Sequence, residues 1–144
     1  MRNVCKQGGD AGSHRARRAA AAALVALLCS AGLAGAAGER LSGDRIRELI
    51  TGNTLQGNYT TLPLTMVFYE NGVLRGSIGL TGSDSGTWEI DGDKYCNEWD
   101  VYFDGVRHCY AWVPHGDGYV LQSVDAYKIR PIQGRIEQGK PKGY

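Results

Sequence analysis

Residues 65–80 read TMVFYENGVLRGSIGL, and this stretch decides the fold. Met66, Val67, Phe68 and Tyr69 form a short run of strand-favouring side chains. Asn71-Gly72 follows, and both residues tolerate the positive φ that a two-residue type I′ hairpin turn requires. Val73–Leu80 then returns as the partner strand.

The same grammar repeats downstream. Residues 81–85 form a polar loop, Gly86–Ile90 a strand, Asp91-Gly92 a second type I′ turn, and Asp93–Asn97 its partner. Val106–Val113 reads as a longer strand that is apolar on both faces, so it lies centrally or under the helix. Residues 114–118 are a turn cluster, and Tyr119–Val124 and Ala126–Ile129 complete the set. Short strands at regular spacing with Gly-rich turns predict an all-β antiparallel meander, closed as an up-and-down barrel or curved as an open sheet. Gly76, Gly79, Gly82 and Gly86 suit strands that bend sharply.

Upstream, residues 41–50 predict one short helix. Ser42 is placed to cap it, Leu41 and Ile46 have the spacing of a hydrophobic staple, and Asp44 suits the helix dipole. Ile46, Leu49 and Ile50 make one apolar stripe, and Gly52 ends the helix. So short a helix is not stable alone, so its stripe lies against an end or open side of the β-structure.

The first 36 residues read as a secretion signal. Arg15, Arg17 and Arg18 precede an apolar run from Ala19 to Leu33, and Ala34-Gly35-Ala36 supplies an A-x-A cleavage site. The Ala/Gly-rich run suits a cleaved signal better than a retained anchor. The predicted organisation is a signal at 1–36, a β-domain at 37–130 and a flexible polar tail at 131–144. The predicted compartment is the periplasm or the exterior. Without the signal the chain carries 11 basic and 14 acidic side chains, a net of −3. That balance lacks the basic footprint of a nucleic-acid binder. Cys5 and Cys29 lie in the signal, leaving Cys96 and Cys109 as the expected disulfide of an oxidising compartment. The chain-entropy account gives such a short loop about 3 kcal/mol of stabilisation.

Several of these features recur together: SGDRIRELI at 42–50, TGNT at 51–54, YENG at 69–72, GTW at 86–88 and DGDKYC at 91–96. As a set they resemble a group of small exported proteobacterial proteins, mostly alphaproteobacterial, without an assigned function. The resemblance covers most of residues 41–129 and implies an exported β-domain with one disulfide, and no catalytic residues. Gly86-Thr-Trp88 is also similar to the G-x-W of lipocalin-like barrels, although there the motif sits on the first strand and here it lies mid-domain.

Chemistry is sparse. His108 with His115 and Asp117 is the nearest approach to a metal or acid/base cluster, and it lacks the ligand spacing of a metal site. Ser83 and Ser85 have no G-x-S-x-G context. No catalytic residue, metal or cofactor is assigned. Trp99, Tyr102 and Phe103, lying between the two cysteines, are the candidate binding surface, because a stapled aromatic loop is a common form of interface. Trp88, Trp112 and Tyr119 are the candidate barrel interior. The expected function is a non-enzymatic binding or inhibitor-type domain, taking an envelope protein or a small apolar ligand. The alternatives are an enzyme using Asp/Glu with His108 or His115, and a structural envelope component.

Overall fold

The structure is a computed structural model, and it describes residues 38–126 and 129–144. The predicted signal falls outside them. One helix, α1 (Gly43–Ile50), precedes eight strands: β1 (Thr54–Tyr59), β2 (Leu62–Phe68), β3 (Val73–Ile78), β4 (Ser83–Asp91), β5 (Lys94–Trp99), β6 (His108–His115), β7 (Gly118–Ser123) and β8 (Ile132–Glu137). They pair antiparallel in chain order and β8 pairs back to β1, so the sheet is a closed up-and-down barrel. Closure removes both sheet edges.

The register puts one set of alternating residues inside. Leu55 faces Met66 and Ile136, Phe68 faces Leu74, Trp88 faces Asn97, Tyr95 faces Tyr110, and Trp112 faces Leu121. Phe68, Tyr95 and Trp112 are fully buried. Phe68 meets Tyr95 at 5.6 Å between ring centroids, and Tyr95 meets Trp112 at 5.9 Å, both nearly edge-on. Tyr119, half-buried, lies 5.5 Å from Trp112. The Trp88 indole N–H donates to the Tyr69 carbonyl at 2.9 Å. Trp88, Trp112 and Tyr119 thus sit on the inward face, as expected, in a centre filled by aromatic rings.

Because strands alternate direction, the connections fall at two ends. The helix end carries the turns at 69–72, 92–93 and 116–117; the loop end carries 60–61, 79–82, 100–107 and 124–131. Helix α1 closes the first end. The Ser42 hydroxyl accepts from the Arg45 N–H at 3.3 Å, and Gly52 takes φ +75° just past the helix. Ile46 and Ile50 are fully buried in the core. Leu41 donates its N–H to the Trp112 carbonyl at 2.9 Å, tying the lead-in to β6.

Both expected type I′ turns are corrected. At 69–73, Gly72 N–H donates to Tyr69 O at 3.1 Å, Tyr69 N–H donates to Val73 O at 2.9 Å, and only Gly72 has positive φ. This is a three-residue loop with a glycine bulge, which needs one left-handed residue rather than two. In the next hairpin Asp91 pairs with Lys94, so the loop is Gly92-Asp93, one residue later than predicted. The shift sends the Asp93 carboxylate to the Gly43 N–H at 2.8 Å, adding a second acceptor at the helix start. A Cβ on Gly43 would strike the Gly92 carbonyl, which is why the helix begins with glycine.

The predicted tail at 131–144 is also corrected, and the domain does not end at 130. β8 completes the barrel, six of its residues pairing with β1 and three with β7. Past β8, Gly139 donates its N–H to the Asn53 amide oxygen at 3.0 Å and accepts from the Thr54 hydroxyl at 2.7 Å. The Lys140 ammonium sits 4.5 Å from the Tyr69 ring centroid, and the Tyr144 hydroxyl donates to Ser77 at 3.2 Å. The C-terminus is therefore a strap across β1–β3. The polar loop predicted at 81–85 is half strand, since β4 starts at Ser83. Of the strand predicted at 126–129, Ala126 and Ile129 lie outside any strand and residues 127–128 outside the described set.

Cys96 and Cys109 are disulfide-bonded, as predicted, and are direct cross-strand partners. The β5–β6 ladder has three residue pairs, as few as β7–β8, so the covalent link reinforces one of the two shortest ladders, at the base of the 100–107 loop.

Candidate functional site

The loop end gathers what the rest of the barrel lacks. The large apolar residues exposed among the described residues are Leu62, Leu80, Val101, Val106 and Val124, and all five lie in or beside loop-end connections. Leu80 is fully exposed and Val101 is 73% exposed. Single exposed leucines are ordinary; their collection at one end is the informative observation.

These connections form one continuous rim. A Cβ on Gly79 would lie 3.4 Å from Leu62, which places the 79–82 turn against the start of β2. The Tyr102 hydroxyl donates to the Gly82 carbonyl at 2.7 Å, joining the 79–82 turn to the 100–107 loop. Phe103 meets Tyr59 edge-on at 5.4 Å, joining that loop to β1. Thr60, Phe103 and Asp104 are the non-glycine residues with positive φ among those described, at +58°, +56° and +60°. Non-glycine residues in this region cost energy and persist where their surroundings hold them.

Asp84 does much of the holding. Its Oδ2 accepts from the backbone N–H groups of Val101 at 3.0 Å and Tyr102 at 2.8 Å, and Oδ1 accepts from Ser85 N–H at 2.8 Å. Besides this local bond to Ser85, the carboxylate fixes a loop 17 residues away. Asp84→Ala removes both long-range hydrogen bonds. Each such bond contributes on the order of 1 kcal/mol or more. Amide exchange at Val101 and Tyr102 is therefore expected to accelerate at least about tenfold, with β1, β2 and β8 unchanged, as measured by residue-resolved hydrogen exchange.

The predicted aromatic surface is only partly a surface. Trp99 is 2% exposed, faces inward opposite Gly86, and packs on Tyr102 at 5.5 Å. It is core, because β5 extends to Trp99 and strand alternation turns its ring into the barrel. Tyr102 and Phe103 are half-buried and close the mouth over it.

Below Phe103 lies a buried polar cluster. His108, 4% exposed, faces Asn97 across the β5–β6 ladder, and its ring lies 5.9 Å from Phe103. The Asn97 amide donates to the Tyr95 hydroxyl at 3.0 Å. His108 Nδ1 is 3.7 Å from an Asp125 oxygen that already accepts the Cys109 N–H at 2.6 Å. Burial pushes the Tyr95 phenol well above its ordinary pKa, and burial with nearby Tyr59 and Asp125 raises that of Tyr110. Both phenols therefore stay neutral and serve as packing with a polar tip.

His108 and His115 sit at opposite ends of β6, about 20 Å apart at the rise of an extended strand. The predicted His108–His115–Asp117 grouping is thus not brought together. His115 and Asp117 instead border a surface cleft at the helix end. No group of three or more potential metal-binding side chains occurs among the described residues.

The fold and rim define a class: a helix-capped, disulfide-stapled, eight-stranded up-and-down barrel with a filled centre and an apolar loop end. No family model, curated protein or solved structure matches the chain.

Proposed function

We propose that this chain is an exported, non-enzymatic binding domain that engages a protein partner through its loop end. The observation that carries the reading is the collection of Leu62, Leu80, Val101 and Val106 at one end of a barrel whose centre is filled. An apolar ligand carrier needs an internal cavity of about 300 Å³ or more, and here Phe68, Tyr95 and Trp112 occupy the centre. A membrane barrel is disfavoured by the outer face. Thr65, Arg75, Glu98, Gln133 and Arg135 point outward, whereas a transmembrane barrel needs an outward apolar band. A nucleophilic enzyme is disfavoured because His108 is buried without a hydroxyl or thiol hydrogen-bonded to it. The disulfide is consistent with export.

Glu98, Asp100 and Asp104 are exposed around the rim, so the partner surface is apolar with basic side chains at its edge. Burying an exposed Leu or Val on binding is worth roughly 1.5–3 kcal/mol. Leu80→Asp with Val101→Asp should therefore weaken the complex about 100-fold or more. The test is a photo-crosslinking side chain placed at Leu80 in one experiment and at Arg47, on the helix end, in another. One defined protein adduct at Leu80, absent at Arg47 and lost when Val101→Asp is added, supports the reading. Equal adducts at both ends, or none at Leu80, overturn it.

A further inference from the structure

A second surface is independent of the rim. Two clefts of about 450 and 460 Å³ lie side by side on the outer face of β1 and β8 and share Asn58 and Gln133, the first lined mainly by polar atoms and the second mainly by apolar ones. Together they make one elongated groove. It runs from the His115–Asp117 turn at the helix end, past the Asn58–Gln133 cross-strand pair, to Thr60 and Arg130 at the loop end. Over its first half the floor is main chain. Gly57 pairs with Gly134, which pairs with Tyr119. A Cβ at Gly57 would strike the Gln133 carbonyl, and one at Gly134 would come within 2.6 Å of the Gln56 carbonyl. The close approach of these strands makes the groove part of the fold.

The walls of the helix-end half are polar and close to uncharged. The amides of Asn58 and Gln133 and the carboxylate of Asp117 make no hydrogen bond to another described residue. Gln56 accepts from the Thr65 hydroxyl at 2.9 Å and keeps its amide N–H groups free. Arg135 is neutralised by Glu137 at 3.2 Å, and Asp117 at one end balances Arg130 at the other.

We infer that this groove binds a neutral linear oligosaccharide. Amides both donate and accept, which matches sugar hydroxyls that do the same. An anionic ligand would find no unpaired cation in the first half of the groove, and an apolar one would strand the amides without partners. A peptide adding as a strand needs a sheet edge, and the barrel is closed.

The test is amide chemical-shift titration of protein expressed from the full chain, using chitotetraose, cellotetraose and maltotetraose up to about 10 mM, which reaches weak sugar affinities. At least one of the three should shift residues 56–58 and 133–135. The double variant Asn58→Ala, Gln133→Ala, its fold checked by the same spectra, should lose at least about tenfold in affinity, as expected for two lost polar contacts. Leu80→Asp should bind the sugar normally, which separates this site from the rim. No shifts with any of the three would overturn the inference. So would unchanged affinity in the double variant, or tighter binding of a sulfated tetrasaccharide at the same residues.

Discussion

A chain ending at Arg130 is expected not to fold. Removing residues 131–144 strips β8 from between β1 and β7, leaving nine residue pairings unmade and two long edges unpaired. It also removes Ile132, 2% exposed, and Ile136 from the core, and it deletes the strap that Gly139, Lys140 and Tyr144 make over β1–β3. The lost ladder bonds, at about 1 kcal/mol net each, together with the lost burial of two isoleucines, at about 1.5–3 kcal/mol each, match or exceed the roughly 5–15 kcal/mol a domain of this size has to lose. The check is far-ultraviolet circular dichroism with one-dimensional proton spectra of the truncated chain. Dispersed amide and upfield methyl signals like those of the intact chain would show that β8 is dispensable.

Trp112→Ala is the point substitution expected to cost most, about 3–5 kcal/mol. The ring is fully buried and touches Phe68, Tyr95 and Tyr119, so its loss opens a void at the point where three strands and the helix end converge. Trp112→Phe should be far milder, below about 1.5 kcal/mol. It keeps ring contacts and deletes an indole N–H that is buried without a partner. Urea unfolding of the two variants decides the matter. Equal, small losses would mean that the barrel centre is loosely packed and open to a ligand.

Much of the fold is legible because local signals and tertiary structure agree. The Ser42 cap, the Ile46/Ile50 stripe and the Gly52 stop all act on neighbouring residues, and they formed as read. The disulfide is legible because, once Cys5 and Cys29 are read as part of a signal, the two remaining cysteines allow one pairing. The two strands missed, β1 and β8, fail for the same reason. Each carries a glycine at its inward centre, Gly57 and Gly134, where an apolar side chain would have marked the alternation. Those glycines are needed because the two strands pair with each other at that point too closely for a Cβ. The requirement is set by a partner some 77 positions away, so no local pattern records it.

The candidate site is less legible still. The aromatic segment at 99–103 lies at the loop end of the barrel, but Trp99 faces in, and the exposed apolar side chains there include Leu80 and Val101. An isolated Leu or Val in a turn carries no sequence signal. Only barrel closure assembles Leu62, Leu80, Val101 and Val106 on one rim.

A closed and filled barrel leaves only its outer surfaces for binding, so closure decides where a partner can sit. The most direct test is a nuclear Overhauser spectrum of the intact protein, read for contacts between residues 54–59 and 132–137. Cross-strand contacts centred on Gly57 and Gly134, with slow amide exchange along β1 and β8, are the predicted result. Their absence, with fast-exchanging β1 amides, would mean an open sheet whose free edge is itself the place where a partner strand would add.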